Sequence, residues 1–170
     1  MMRLIKKIVG SLIRIGYRCI YRIIPVDPNM VLFISFHGRG YSDNPRAIYE
    51  AMRQDERFRD HTFLWAIKHH KKKGIGIEGA RVIEYLSLPY FFYLSRAKYW
   101  IFNCKMPDYI RKKDEQIYLQ TWHGTPLKRL AHDIHVAADT TFYRSRMSAE
   151  EMYRSYDVDV ARYNYMISPN

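Results

Sequence analysis

The segment YLQTWHGTPLKRL, from Tyr118 to Leu130, places a histidine between a bulky, strand-like run and a turn. Gly124 allows a tight turn and the close approach of a ligand. A neutral imidazole at His123 can accept a proton from an attacking hydroxyl group and so act as a general base. A histidine that only hydrogen-bonds across the turn is the structural alternative, and the residue types alone leave both interpretations open.

The residues after this histidine favour an anion site. Thr125 and the proline that follows it suit the N-cap and the first position of a helix. A helix N-terminus attracts phosphate groups, and Lys128 and Arg129 add positive charge nearby. We therefore expect Gly124, Thr125, Lys128 and Arg129 to help hold a phosphoryl group beside His123.

A second polar loop, HGRGYSD, follows the first apolar run of the chain. Asn44 stands before Pro45, and this pair predicts the N-cap and the first residue of a helix. Polar side chains of the loop either line the same crevice as the histidine of the first motif or belong to an ordinary loop with a capping asparagine. These side chains are His37, Arg39, Ser42, Asp43 and Asn44.

Two further groups of histidines give weaker signals. His132 and His135 are three residues apart, but only Asp133 accompanies them and no cluster of metal-site form does. We therefore expect no metal. The run His69–Lys73 predicts a solvated loop, with contact to a polyanionic acceptor as the alternative.

The composition predicts one folded, cation-rich domain. The chain has 170 residues, of which 48% are hydrophobic and 15% aromatic, and these values argue against disorder. The net charge of +11 attracts anions, whether nucleic acid, acidic lipid or a phosphate-bearing substrate. The two cysteines, Cys19 and Cys104, lack a metal-like spacing and favour a reducing, intracellular setting.

The first 24 residues predict a basic amphipathic helix. Cations are spread through the whole run, which argues against a secretory signal and against a bilayer-spanning helix of about 20 mostly apolar residues. On a helix, arginines at four-residue intervals lie opposite an isoleucine-rich side. Such a helix can bind an anionic membrane surface, and packing on its own domain is the alternative. The cations are Arg3, Lys6, Lys7, Arg14, Arg18 and Arg22.

From residue 30 onward, short apolar runs alternate with helix-like stretches. This alternation predicts an α/β fold with a mostly parallel sheet covered on both faces. Ligands bind such sheets at the carboxyl ends of the strands, which is where His123 stands. The predicted strands are Met30–Phe36, Thr62–Ile67, Arg81–Tyr85, Lys98–Asn103, Ile117–Trp122 and Asn164–Ser168. The predicted helices are Pro45–Gln54, Leu88–Arg96, Pro126–Ala131 and Ser148–Tyr156.

The motif QTWHGTPLKRL resembles the signature of the CDP-glycerol glycerophosphotransferase family, which builds teichoic acid and related glycerol-phosphate polymers. The likeness extends to FISFHGRGYSDNPRAIYEAM, from Phe33 to Met52, and through most of Ala97 to Leu130. The terminal YNYMISPN also resembles a family segment, so the likeness covers most of residues 30–170. The family usually carries a glycine where Ala131 stands, which leaves the turn geometry there in question.

The resemblance implies a fold and an activity. It implies that residues 29–170 form the Rossmann-like, acceptor-side half of a GT-B fold, after a membrane-surface helix and hinge at residues 1–28. It also implies cofactor-free, metal-independent transfer of glycerol phosphate from CDP-glycerol to a lipid-linked acceptor by a peripheral protein at the cytoplasmic face of the membrane. His123 matches the family histidine that is thought to act as the base. We expect the second, donor-binding domain to be absent from this chain and the chain alone to be inactive.

Two other classes of function compete with this expectation. A nucleic-acid-binding module would explain the charge and the aromatic residues, but no recognised motif is present and much of the charge belongs to the N-terminal helix. We therefore expect no nucleic-acid partner. A non-catalytic membrane-surface or polyanion-binding module would explain the helix but not the string WHGTPLK.

Overall fold

The computed structural model describes residues 11, 15–124, 129, 131–135 and 147–167. Within them the strands are β1 (Asp27–Ile34), β2 (Thr62–Ile67), β3 (Arg81–Glu84), β4 (Ala97–Phe102), β5 (Ile117–Gln120) and β6 (Tyr165–Met166). Besides the helical residues 15–23, the α-helices are α1 (Asp43–Gln54), α2 (His70–Lys73), α3 (Leu88–Arg96) and α4 (Ala149–Val160). Short 3-10 turns lie at Glu56–Phe58 and Ala131–Asp133.

The six strands form one parallel sheet in the order β3-β2-β1-β4-β5-β6. This order is that of a Rossmann-like sheet and confirms the predicted α/β fold class. In the central strand, Leu32 pairs with Leu64 of β2 on one side and with Trp100 of β4 on the other. The strand order reverses between β1 and β4, so a crevice opens at the carboxyl ends of these two strands.

The central strand is buried on both faces. Leu32 and Ile34 belong to an apolar cluster that includes α3, whereas Val31 and Phe33 belong to a cluster that includes Tyr49 of α1. All four strand residues are fully buried. Burying a side chain of this size stabilises the fold by about 1.5–3 kcal/mol. The strand is therefore a firm base for the loops at its end.

Most predicted elements are present, and their ends differ for identifiable reasons. Strand β2 and helix α3 have the predicted bounds. Strands β1 and β5 each end two residues earlier than predicted, because Phe36 and Trp122 adopt left-handed φ values of 45° and 53° that cannot continue a strand. Helix α4 runs on to Val160, with Ser148 as its N-cap. The predicted helix Pro126–Ala131 lies largely outside the described residues.

The start of α1 corrects one prediction. Ser42 precedes the helix, so Asn44 is not its N-cap. The Asn44 side chain instead donates hydrogen bonds to the backbone carbonyls of Thr121 at 3.1 Å and Trp122 at 3.4 Å. The prediction was wrong because it rested on neighbouring residues alone, whereas the partners of this amide lie just after β5, far along the chain.

Residues 15–23 are helical and pack against the domain. Tyr17 is 1% exposed, and its hydroxyl group donates to the carbonyl of Arg111 at 2.7 Å. On the outer side, Arg18, Arg22 and Ile23 are exposed. Residues 15–23 therefore pack on the domain with one side and expose basic residues on the other. Every helix within the described ranges falls short of the length and hydropathy needed to cross a bilayer.

Four of the predicted membrane-binding cations lie outside the described residues, so the predicted division into residues 1–28 and 29–170 stays a prediction. These cations are Arg3, Lys6, Lys7 and Arg14.

Candidate functional site

The loops that follow β1, β4 and β5 meet at the carboxyl edge of the sheet, where they line a cavity of about 380 Å³. His37 and Arg39 come from the first loop, Lys105 from the second and His123 from the third. Tyr156 of α4 completes one wall. The structure thus brings three of the residues singled out in the sequence, His37, Arg39 and His123, to one cavity.

The ring of His123 is held by three contacts. Its Nδ1 atom lies 2.6 Å from the backbone carbonyl oxygen of Asn103. The ring stacks on Trp122 at 4.9 Å and meets Phe36 edge-on at 5.3 Å between centroids. A carbonyl oxygen can only accept a hydrogen bond, so Nδ1 carries the proton and the lone pair lies on Nε2. The contacts therefore select the tautomer whose Nε2 can take a proton from a substrate.

The backbone on either side of His123 explains how the chain turns there. Trp122 has a φ of 53° and Gly124 a φ of 74°. The Trp122 N–H donates to Oε1 of Gln120 at 3.1 Å, which anchors the turn to the end of β5. Apart from its chain neighbours, no described residue has an atom within 4 Å of a Cβ added at Gly124. The backbone angle favours glycine at this position.

Asn103 links the elements of the site, and the sequence did not reveal it. This residue is fully buried, and its Oδ1 accepts the N–H of Phe36 at 2.7 Å. Its Nδ2 donates to Oδ2 of Asp43 at 2.6 Å, at the start of α1. The residue therefore joins the loop after β1 and the start of α1 to His123. The available signal was a polar residue at the carboxyl end of an apolar strand.

His37 lies beside a buried thiol. Its backbone N–H donates to Sγ of Cys104 at 3.2 Å. Burial lowers the pKa of His37, and the nearby positive charges of Lys68 and Arg39 lower it further, with His123 contributing in the same direction. Burial raises the pKa of Cys104 to about 11, so the thiol is protonated near neutral pH and is no nucleophile.

Helix α4 contributes a wall of paired polar groups. Lys105 donates to Oγ of Ser155 and lies 5.0 Å from the centroid of the Tyr156 ring. Burial lowers the pKa of Lys105, against the opposing effects of Asp108 and Asp159. A second cavity, of about 600 Å³, adjoins the first. His37 and Lys105 line both cavities.

A buried carboxylate supports that wall from behind. Asp159 is 1% exposed and accepts the N–H of Met106 at 3.1 Å and the hydroxyl of Tyr163. It also forms an ion pair with Arg162 at 3.5 Å. Burial raises the pKa of Asp159, while these three partners act in the opposite direction. The sequence reasoning missed this group, because more than fifty residues separate it from the loop that it supports.

The structure does not place the other predicted site residues at the cavity. Arg129 is exposed, whereas Thr125 and Lys128 lie outside the described residues. The predicted loop His69–Lys73 is a short, mostly exposed helical turn. His132 bonds Asp157 through Nε2 at 2.7 Å, and no cluster of three metal-ligating residues occurs in the part of the chain that the structure describes.

Comparison with families and curated proteins yields a consistent set of relatives. A family model described as CDP-Glycerol:Poly(glycerophosphate) glycerophosphotransferase matches residues 17–170. The chain is 33% identical over 174 residues to the teichoic acid poly(glycerol phosphate) polymerase of Bacillus spizizenii. The matched region covers 99% of this chain and 42% of that protein. It is 31% identical over 173 residues to the teichoic acid glycerol-phosphate transferase of Staphylococcus aureus, covering 98% and 41%.

Solved structures agree with these relatives. The wall teichoic acid polymerase TagF superposes with a TM-score of 0.80 at 31% identity, over 99% of this chain and 40% of TagF. A TagF variant soaked with CDPG gives a TM-score of 0.83 at 33% identity. The likeness supports the prediction of one half of a GT-B-like fold. The chain spans about two fifths of TagF and of the two relatives above.

Proposed function

Because this chain belongs to the CDP-glycerol:poly(glycerophosphate) glycerophosphotransferase family, we propose that it supplies the acceptor-side half of an enzyme that transfers glycerol phosphate. The proposed donor is CDP-glycerol, held mainly by the rest of such an enzyme. The proposed acceptor is a hydroxyl group of a lipid-linked chain. The cavity at the carboxyl edge of the sheet is where these two substrates meet.

His123 is the general base of the proposed reaction. The acceptor hydroxyl gives its proton to Nε2, and its oxygen attacks the phosphorus that bears glycerol. The bond from phosphorus to the CMP oxygen breaks, and CMP leaves with the bonding electron pair. The observation that carries this proposal is the contact between Nδ1 and the Asn103 carbonyl, because it leaves the Nε2 lone pair available.

Cationic side chains around the cavity balance the charge of the phosphates. Arg39 and Lys105 line its walls, and Arg129 follows the histidine in the chain. The family motif adds Gly124, whose backbone lets a ligand approach closely, and Lys128, a further cation. Such groups are most effective where water is excluded and where they are oriented before the reaction. The proposal assigns this role to side chains and routes no step through a metal ion.

The proposed acceptor is membrane-bound, and the proposed location is the cytoplasmic face of the membrane. The exposed Arg18 and Arg22, on the outer side of residues 15–23, support a peripheral contact with anionic lipid. The packed inner side, held by Tyr17, would keep the domain close to that surface.

A chimera tests the proposed activity. In the Bacillus spizizenii relative, the segment that matches this chain is replaced by the chain itself, and CMP release from CDP-glycerol is measured with a lipid-linked glycerol-phosphate acceptor. We expect turnover that requires the acceptor. A folded chimera that binds vesicles but releases no CMP, beside an active parent, would favour the non-catalytic membrane or polyanion-binding module instead.

A further inference from the structure

A cleft of about 720 Å³ opens at the amino edge of the sheet. It lies between the end of the N-terminal helical segment, the start of β1 and the loop before β5, and Lys98 near the start of β4 also lines it. His123 stands at the opposite, carboxyl edge. The six residues of β4 separate the two edges by about 20 Å, at about 3.3 Å per residue. This amino-edge cleft is therefore distinct from the candidate catalytic cavity.

The cleft carries positive charge without ionic partners. Four cations line it, together with the carboxylates of Asp114 and Glu115, so the lining has an excess of two positive charges. Among the described residues, none of the four cations forms an ion pair with a carboxylate. The four cations are Arg22, Lys98, Lys112 and Lys113.

Neutral backbone carbonyls orient the lysines of the cleft. Lys113 donates to the carbonyl of Ile24, and Lys98 to that of Glu115. Lys112 donates to the carbonyls of Lys113 at 3.2 Å and Gln116 at 2.9 Å. An ammonium group has three N–H donors, so each lysine retains at least one for a ligand. The cleft thus combines fixed cations with unused donors, as a phosphate site requires.

Partial burial makes an anionic ligand favourable here. Burial lowers the pKa of Lys112, with Lys98 acting in the same direction and Asp114 opposing. Burial also lowers the pKa of Lys113, against the opposing effect of Glu115. These shifts mean that the charged ammonium groups lose solvation that no carboxylate fully replaces. A bound phosphate would supply that missing compensation.

Exposed apolar side chains lie in the cleft lining and on the helical segment beside it. Ile23, one of its lining residues, is 80% exposed, and Ile15 on the same helical segment is 61% exposed. Exposed apolar side chains beside cationic donors match an amphiphile, whose head is charged and whose tail is apolar. Free phosphate would use the cations alone. A nucleic acid would need stacking or base contacts, but Tyr21, the one aromatic residue among the described lining residues, packs against the core cluster and the ring of Tyr17.

We propose that the amino-edge cleft binds the phosphate headgroup of an anionic phospholipid, with Ile15 and Ile23 at the acyl-chain boundary. The inference rests on the membrane association proposed above and deepens it. In this inference, Lys98, Lys112 and Lys113 of the folded domain contact the headgroup in addition to the arginines of the helical segment.

Vesicle binding of matched charge variants tests the cleft. One double variant carries Lys98→Gln and Lys112→Gln in the cleft. The control double variant carries Lys71→Gln and Lys72→Gln on the exposed turn α2. Both remove two positive charges, and glutamine can still donate to the backbone carbonyls. The vesicles contain phosphatidylcholine and phosphatidylglycerol. We expect the cleft variant to bind them roughly 30-fold more weakly, because each lysine contributes about 1 kcal/mol to binding. We expect the α2 variant to bind within about twofold of the unaltered chain. Equal weakening by both would overturn the proposal.

Separate ligands identify the source of the phosphate. Monomeric short-chain phosphatidylglycerol, inorganic phosphate and a DNA oligonucleotide are titrated into the chain, and backbone amide shifts are followed by NMR. We expect the lipid to shift residues 22–24 and 112–115 at lower concentration than phosphate does, and DNA to leave them unshifted. Equal affinity for phosphate, or selective binding of DNA, would overturn the lipid assignment. If the double lysine variant fails to fold, Arg22→Gln with the same lipid titration replaces it.

A third variant separates this inference from the general membrane proposal. Arg18→Glu reverses a charge on the helical segment but spares the cleft lining. Loss of vesicle binding in this variant, with normal binding in the lysine variant, would leave membrane association standing and reject the cleft. Failure of the unaltered chain to bind vesicles would reject membrane association, while the short-chain lipid titration still decides whether the cleft takes a headgroup.

Discussion

The Nδ1 atom of His123 lies 2.6 Å from the backbone carbonyl oxygen of Asn103, across the ends of two neighbouring strands. The main chain, and not a carboxylate side chain, therefore selects the tautomer of the proposed base. Such a carbonyl orients the ring without adding a negative charge beside it. The position of Nε2 then depends on the pairing of β4 with β5, which is part of the core.

Replacing His123 should remove the chemistry and preserve the fold. In the chimera described above, His123→Ala is expected to lower kcat by roughly 10²- to 10⁴-fold, the usual contribution of a general base. His123→Gln keeps a hydrogen-bonding side chain but cannot take the proton, so we expect a similar loss. CMP release measures both, with His61→Gln at the opposite edge of the sheet as a control. Near-normal turnover of the glutamine variant would leave His123 a positioning role only.

Replacing Asn103 should destabilise the protein. Asn103→Leu keeps the approximate volume but leaves the partly buried Phe36 N–H without its acceptor. The expected loss in the free energy of unfolding is about 1–3 kcal/mol, measured by urea unfolding of the chain. Asn29→Leu, at an exposed position of β1, should stay within about 0.5 kcal/mol of the unaltered chain. Equal stability of the two variants would contradict the linking role of Asn103.

Glycine at position 131 should stabilise the protein. Ala131 has a φ of 49°, a left-handed angle that costs a residue with a Cβ roughly 1–2 kcal/mol. The greater freedom of glycine in the unfolded chain offsets part of this cost, so we expect Ala131→Gly to raise the free energy of unfolding by about 0.5–1 kcal/mol. Ala51→Gly, inside α1, should lower it by about 1 kcal/mol. Thermal unfolding compares the two, and a shift in the same direction for both would be inconsistent with strain at Ala131.

Nearby positive charge should lower the pKa of His37 beyond the effect of burial. Its pKa in the folded chain lies below the usual value of about 6.5. As the pH falls through that value, the unfolded chain takes up the proton first, so the free energy of unfolding decreases until the folded-state pKa is passed. Arg39→Gln should raise the pKa of His37 and reduce this loss, whereas the distant Arg57→Gln should leave it unchanged. NMR titration of the imidazole resonances measures the shift, and an unchanged pKa in Arg39→Gln would exclude the proposed electrostatic cause.

The chain alone should fold without transferring glycerol phosphate. It spans 42% of the Bacillus spizizenii relative, and catalysis by positioning requires both substrates to be held together. We expect a cooperative unfolding transition but no CMP release from the 170-residue chain, in contrast to the chimera. Turnover by the chain comparable to that of the chimera would place the donor on this domain, with His37, Arg39, Lys128 and Arg129 serving both substrates.

The elements that the sequence predicted well are those with a local cause. The apolar runs of β1, β2 and β4 are long enough to be recognised as buried strands. Ser87 caps α3 by accepting the N–H of Tyr90, a pattern contained in four consecutive residues. The position of His123 followed from one general property of parallel sheets, that strand ends form the ligand crevice.

The features that the sequence did not reveal depend on distant partners. The amide of Asn44 bonds to a backbone seventy-seven residues away, so its local pattern indicated a cap that does not exist. Asp159 and Lys105 approach each other only because α4 packs beside the loop after β4. Phe36 and Trp122 are bulky residues, which rarely adopt left-handed φ values. Their residue types therefore do not predict these backbone angles.

Of the strands that the structure describes, the one in the middle of the sheet is synthesised first. Val31 of β1 pairs with Phe63, but its partner on the other side, Tyr99, comes much later in the chain. A chain emerging from the ribosome therefore carries an unpaired central strand edge, an aggregation hazard, until β4 arrives. Closing that long loop is the slow, entropically costly event expected of distant pairings. Because Asn103 directly follows β4 and His123 lies in the turn after β5, the proton acceptor is assembled only after the sheet has closed around its oldest described strand.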